Sequence, residues 1–307
     1  MIRAGPQAQH DFTSPDYLVA LGDLEMTHLS NMMTPARAAA ETNFDLHARF
    51  ASAIHRIAED HHPLRSPFFQ HLRELPAAVA CDPQLLGQIH LVYQSAMHAT
   101  RAAVYYLPHL DSPAMRKRKL QIFIDDDGLP GGDTHHYQLS RAFRNMGAKL
   151  LLDDEDFGGS TELCRHLDPE TSRFVQAATT LYARSLGPWC VVELMSDSWM
   201  RALADALAVH FPAVPSEPYF ADCFSQGVEE RHAEESFEVT ATILQSRPEL
   251  YSETVLDAKL MAEALDGVWR RLDTIVKQAE QRLRTAKQER RLNGTEPPRQ
   301  ARTRELA

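Results

Sequence analysis

Cysteine is scarce in this chain. Its four cysteines, Cys81, Cys164, Cys190 and Cys223, are widely separated and form no CxxC pair, so neither a disulfide framework nor a zinc–thiolate site is suggested. Positive charge is also in short supply: 32 Lys and Arg against 42 Asp and Glu leave a formal net charge of −10. Nucleic-acid binding draws most of its affinity from a basic surface, which argues against that partner. No apolar run reaches the length of a membrane span, and the N-terminal "MIRAGPQAQHDFTSPDY" lacks the apolar core of a signal peptide. A cytoplasmic protein with no membrane partner is the expectation. Val/Ile alternation is rare too, and no internal repeat is evident.

What the sequence has is helical periodicity. Long segments rich in Ala, Leu, Arg and Glu, with Pro and Gly mostly at their ends, predict an all-α protein. Helices are expected over about 16–31, 35–60, 64–76, 83–108, 112–125, 134–147, 168–184, 188–210, 217–246 and 252–288. The expected organisation is a flexible N-terminus over 1–14, a single helical domain over 15–288, and a disordered basic tail over 289–307. The segment "DDDGLPGGDT", Asp125 to Thr134, carries three glycines and a proline and must interrupt the helices beside it. The long amphipathic stretch at 252–288 offers a face for a homodimer.

Histidine is plentiful, at 15 residues, and several sit in suggestive company. "VEERHAEESFE", Val228 to Glu238, holds five glutamates and one histidine. A solvated acidic helix would explain most of that charge, but Glu229 and His232, three apart, share one helical face within reach of a single ion. Glu193, in "LGPWCVVELMSDSWM", lies on its helix's own apolar stripe, four residues after Trp189 and seven before Met200. A buried carboxylate must be protonated, ion-paired or metal-bound, so an arginine partner and a metal are the two readings.

His136, at the start of "HHYQLSRAFRNMG", is followed at three and seven residues by Leu139 and Phe143, which favours it over His135 as the inward-facing ring. His98 is set among Ser95, Ala96, Ala99, Ala102 and Ala103, small neighbours that suit either a ligand or close helix packing. Of the Asp125–Asp127 triplet, Asp126 is taken as the carboxylate turned in beside His136. Carboxylates and imidazoles without thiolates suit iron or manganese.

Together these residues resemble the haem oxygenase-like dimetal oxidases. In that family an acidic, glycine-containing segment leads into a helix opening with a ligand His, a separate helix gives a Glu, and a later helix carries His-xxx-Asp/Glu-xx-His. Here "IDDDGLPGGDTHHYQLSRAFRNMG", Glu193 and "SQGVEERH" are similar in order and separation, over roughly residues 85–245. The resemblance implies a haem oxygenase-like helical bundle holding two Fe2+ ions on His98, Asp126, His136, Glu193, Glu229 and His232. It also implies O2 as co-substrate, an external reductant, and a biosynthetic oxidation of a small molecule. By analogy with amino-acid-oxidising, azetidine-forming members, the expected substrate is a free aliphatic amino acid undergoing desaturation and C–N ring formation. Two positions depart from the pattern: Ser225 stands where the last motif opens with His, and His98 stands where the first helix offers an acid. Relocation of the ligand from 225 to 98 is the expectation.

Two rivals remain. A ferritin-like diiron protein would use Glu25, Glu59, His62, Glu193, Glu229 and His232, although Pro63 pushes His62 out of helical geometry and the acidic–glycine segment is left unexplained. A metal-free helical binding module would use Glu193 and Glu229 to bind a cationic ligand.

Overall fold

A computed structural model describes residues 43–127, 134–152, 167–224 and 227–292. Apart from the first residues of the first helix, the described structure belongs to one compact unit within Leu46–Ala307. The N-terminus expected over 1–14 and the helix expected near 16–31 lie outside the described residues, as does the tail beyond Leu292.

Among the described residues the fold is all-α, with no strand. Its helices are α1 (Asn43–Asp60), α2 (Phe68–Glu74), α3 (Ala77–Ala80), α4 (Pro83–Thr100), α5 (Pro113–Asp127), α6 (His135–Asn145), α7 (Pro169–Arg184), α8 (Gly187–Ala208), α9 (Pro218–Cys223), α10 (Val228–Ser246) and α11 (Tyr251–Leu292). No helix among the described residues is long and apolar enough to cross a membrane.

Side-chain caps start α4, α6 and α7, whereas α8 and α10 begin without one. Asp82 accepts from Gln84 N with Pro83 at the first helical position of α4, and Asp168 does the same for Glu170 N and Thr171 N at the start of α7. Thr134 accepts from Tyr137 N and opens α6. Three expected helices are broken. The one expected over 217–246 divides into α9 and α10 because Gly227, in the left-handed region at φ 63°, turns the chain just before α10. The one expected over 83–108 leaves α geometry at Thr100 and continues as a 3-10 segment, Arg101–His109, that contains Pro108. The one expected over 64–76 becomes a 3-10 turn, Pro63–Arg65, followed by α2.

α8 occupies the middle of the assembly, packed on α10 and on the long α11, which also meets α2, α4 and α7. Trp269 of α11 is the hub of the core. Its ring lies 5.3 Å from Phe69, 5.8 Å from Trp199, and 6.4 Å from both Phe68 and Tyr93, joining α2, α4 and α8 in one aromatic cluster. Two histidine–carboxylate hydrogen bonds tie α11 to the N-terminal part of the fold: His61 Nδ1 to Asp266 Oδ2, just after α1, and His71 Nδ1, in α2, to Asp273 Oδ1, each at 2.6 Å.

Close backbone approach fixes the height of α8 against α11. A Cβ at Gly187 would stand 1.8 Å from the carbonyl oxygen of Thr254, so only glycine fits there. Gly187→Ala is expected to lose roughly 1–3 kcal/mol of stability through backbone displacement. Gly267→Ala, where a Cβ would meet only the flexible Arg270 side chain at 3.7 Å, is expected to gain about 0.5–1 kcal/mol. Urea unfolding of the two variants checks both signs.

Candidate metal centre

α8 delivers Glu193, and one turn of α10 delivers Glu229 and His232. Each offers one ligand atom, and these atoms lie within 4.8 Å of one another. Donors sharing an ion at metal–ligand distances near 2 Å stand up to about 4 Å apart, so small side-chain movements would complete a three-ligand shell. His232 is 1% exposed and Glu229 6%. Two carboxylates converging in a helical core repel each other and forfeit hydration unless positive charge or hydrogen bonds compensate.

The compensation is arranged ligand by ligand. Trp189 Nε1 donates to Glu193 Oε1 at 3.1 Å, and Ser196 Oγ donates to Glu229 Oε2 at 2.8 Å. His232 Nε2 lies 3.2 Å from Asp125 Oδ2, while its Nδ1 lies 3.9 Å from Glu193 Oε2. With Nε2–H given to Asp125, Nδ1 keeps its lone pair on the side of Glu193, the carboxylate–histidine arrangement that orients a metal-binding imidazole. Burial tends to raise the Asp125 carboxyl, but hydrogen bonds from Gln121, His232 and Arg231 outweigh it and hold the group below its ordinary value.

Of the six ligands the sequence reading named, Glu193, Glu229 and His232 come together. The side chain of Asp126 lies outside the described residues; it is its neighbour Asp125 whose carboxylate reaches His232. The signal was present in the helical spacing, since Asp125 falls three residues after the buried Ile122. His98 and His136 form a separate pair, with ring centroids 5.6 Å apart, and neither belongs to the three-residue cluster. Gln94 contacts His136 Nδ1 and donates to the His136 carbonyl at 3.2 Å. Ser225 lies outside the described residues.

The ferritin-like set is not assembled around this cluster. Glu59 is exposed, His62 caps the Pro63–Arg65 turn by accepting from Leu64 N, and Glu25 lies outside the described residues. Trp189 and Ser196 were missed as carboxylate donors, although their positions four before and three after Glu193 place them on its face of the helix.

A cavity of about 110 Å³ joins the two groups: Glu193 and Glu229 line one part, His98, His135 and His136 another. Apolar cavities of about 150 Å³ hold benzene, so this space admits a molecule of a few heavy atoms or one end of a larger one. Burial, with Arg101 and His136 nearby, lowers the His98 pKa to about 4, leaving the ring uncharged and its lone pair available at neutral pH. No family model, curated protein or solved structure matches this chain.

The depressed His98 pKa has a pH signature in the metal-free protein. The unfolded chain takes up this proton below the ordinary 6.5 and the folded chain only near 4, so stability should fall as pH drops through that window. His98→Gln is expected to flatten the stability profile between those values. The check is denaturant unfolding as a function of pH, with NMR of the histidine ring protons to follow His98 directly.

Proposed function

We propose that this protein is an O2-activating, iron-dependent oxidase acting on a small molecule. The observation that carries this reading is the cluster of half-buried Glu193 with buried Glu229 and His232, whose two glutamates line a small cavity that His98 and His136 also line. Two carboxylates and an imidazole without thiolate are a donor set suited to Fe(II). In this reading Glu193, Glu229 and His232 hold one ion, and His98 and His136, with an aspartate of the 125–127 triplet, serve a second, in a haem oxygenase-like bundle. Bound iron would supply the activation of O2 needed to take hydrogen from a C–H bond.

The chain's own residues set the rest. Trp189, Trp199 and Leu139 on the cavity wall keep water from the reacting carbon, and the volume restricts that end of the substrate to a few atoms. Arg101 stands on the same wall and matches a carboxylate, which fits the free aliphatic amino acid expected from the resemblance. His98, uncharged at neutral pH, can accept a proton released during oxidation. Desaturation takes two electrons and two protons from the substrate, whereas reduction of O2 to two waters takes four of each. An external reductant therefore supplies the other two electrons, with two protons from solvent.

A second reading rests on the same walls: two carboxylates among Trp189, Trp199 and Tyr219 would also seat an organic cation without metal. Anaerobic loading with Fe(II), followed by metal analysis, separates the two. The oxidase is expected to retain iron, and Glu193→Ala and His232→Ala to lose it with helical content intact. Exposure to O2 and a reductant with pooled amino acids should yield a product lighter by two hydrogens in mass spectrometry. Absence of bound iron in the wild type, with calorimetric binding of an alkylamine, would establish the cation-binding reading instead.

A further inference from the structure

Lys119 of α5 is fully buried, and among the described residues its Nζ has no hydrogen-bond partner. Its ammonium instead faces two aromatic rings, lying 4.4 Å from the centroid of Trp189 and 5.5 Å from that of Tyr106. Burial draws its pKa down to about 7, with Cys190 and Glu193 acting in the opposite direction. As a packing element alone this lysine is a poor choice, because an apolar chain of the same length would fill the space without stranding a charge. Its contacts point to a role exerted through the ring it covers.

Trp189 presents its face to Lys119 and its edge to the metal cluster, where Nε1–H donates to Glu193 Oε1. In its protonated form Lys119, lying over the π face, withdraws electron density from the indole and makes its N–H a stronger donor. The two oxygens of Glu193 are thereby divided. Oε1 is occupied by Trp189, and Oε2 is on the His232 side, 3.9 Å from Nδ1. The other two ligands have matching helpers: Ser196 on Glu229 and Asp125 on His232.

We propose that Lys119 and Trp189 are positioning residues of this centre. Lys119 fixes and polarises the indole, whose N–H pins Oε1 of Glu193 and presents Oε2 to a cation shared with Glu229 and His232. The purpose of the tether rests on the metal reading above, but the tether itself is a property of the metal-free chain, so the two are tested separately.

The first measurement is a 15N–1H NMR spectrum of the full, metal-free chain, whose three tryptophan indole signals are distinguishable. Trp189 is assigned by the signal lost in Trp189→Phe. Glu193→Gln and Lys119→Met are each expected to move the Trp189 indole signal upfield and to leave those of Trp199 and Trp269 in place. Lys119→Gln is the second neutral variant should Lys119→Met fail to fold. The second measurement is a Co(II) titration followed by visible absorption, in which Trp189→Phe and Lys119→Met should each weaken binding about 10- to 100-fold. A Trp189 signal indifferent to both Glu193→Gln and a folded neutral Lys119 variant overturns the tether, as does Co(II) binding by Trp189→Phe with wild-type affinity. Loss of Co(II) binding in the wild type, with the indole shifts as expected, removes the metal reading and leaves the tether standing.

Discussion

The convergence of two carboxylates, Glu229 buried and Glu193 half-buried, is the constraint around which this fold is organised. Glu193 and Glu229 lie on packed helices against a core filled mainly by Trp, Phe, Leu and Ala. Such an arrangement persists only if each carboxylate oxygen finds a donor or a cation. The neighbouring elements answer that need: the indole of Trp189 and the hydroxyl of Ser196 come from α8 itself, and the imidazole of His232 comes from α10. Asp125 of α5 then steadies the imidazole. Because these contacts cross three helices, the packing of α5, α8 and α10 and the electrostatics of the centre are one problem.

That coupling explains what could be read from the sequence. Helices were legible because their period of 3.6 is written in every apolar stripe. Glu193 was legible because a carboxylate on such a stripe violates the pattern, and Glu229 with His232 because a three-residue step keeps both on one face. The division between α9 and α10 was less so. Gly227 is a single residue, and one glycine inside a helical pattern does not by itself mark the end of a helix. Asp125 and Asp126 differ by 100° of helical rotation, and the sequence alone does not show that Asp125 reaches His232. Lys119 left no mark at all, since a lysine in "MRKRKLQIF" looks like any other charge in a basic turn.

The histidines divide along the same lines. His232 is held by carboxylates on both of its nitrogens, whereas His98 sits beside Arg101 and another imidazole, surroundings that disfavour a proton. His98 lines the cavity directly, whereas His232 meets it only through its neighbours Glu193 and Glu229. The carboxylates attract cations, and His98 offers a neutral lone pair. A ligand or ion entering the space between them would meet a graded field rather than a uniform one.

Trp269 carries a consequence for how the molecule is made. The residues it gathers, Phe68, Phe69, Tyr93 and Trp199, are all synthesised well before it, and none of them can complete the aromatic cluster alone. Contacts this distant in sequence form late, because chain entropy must be spent before they contribute. A chain leaving the ribosome would therefore carry Glu193, Glu229 and His232 in a loosely closed bundle until α11 docks. The order of events in the cell would be helices first, the C-terminal helix next, and a rigid acidic pocket last.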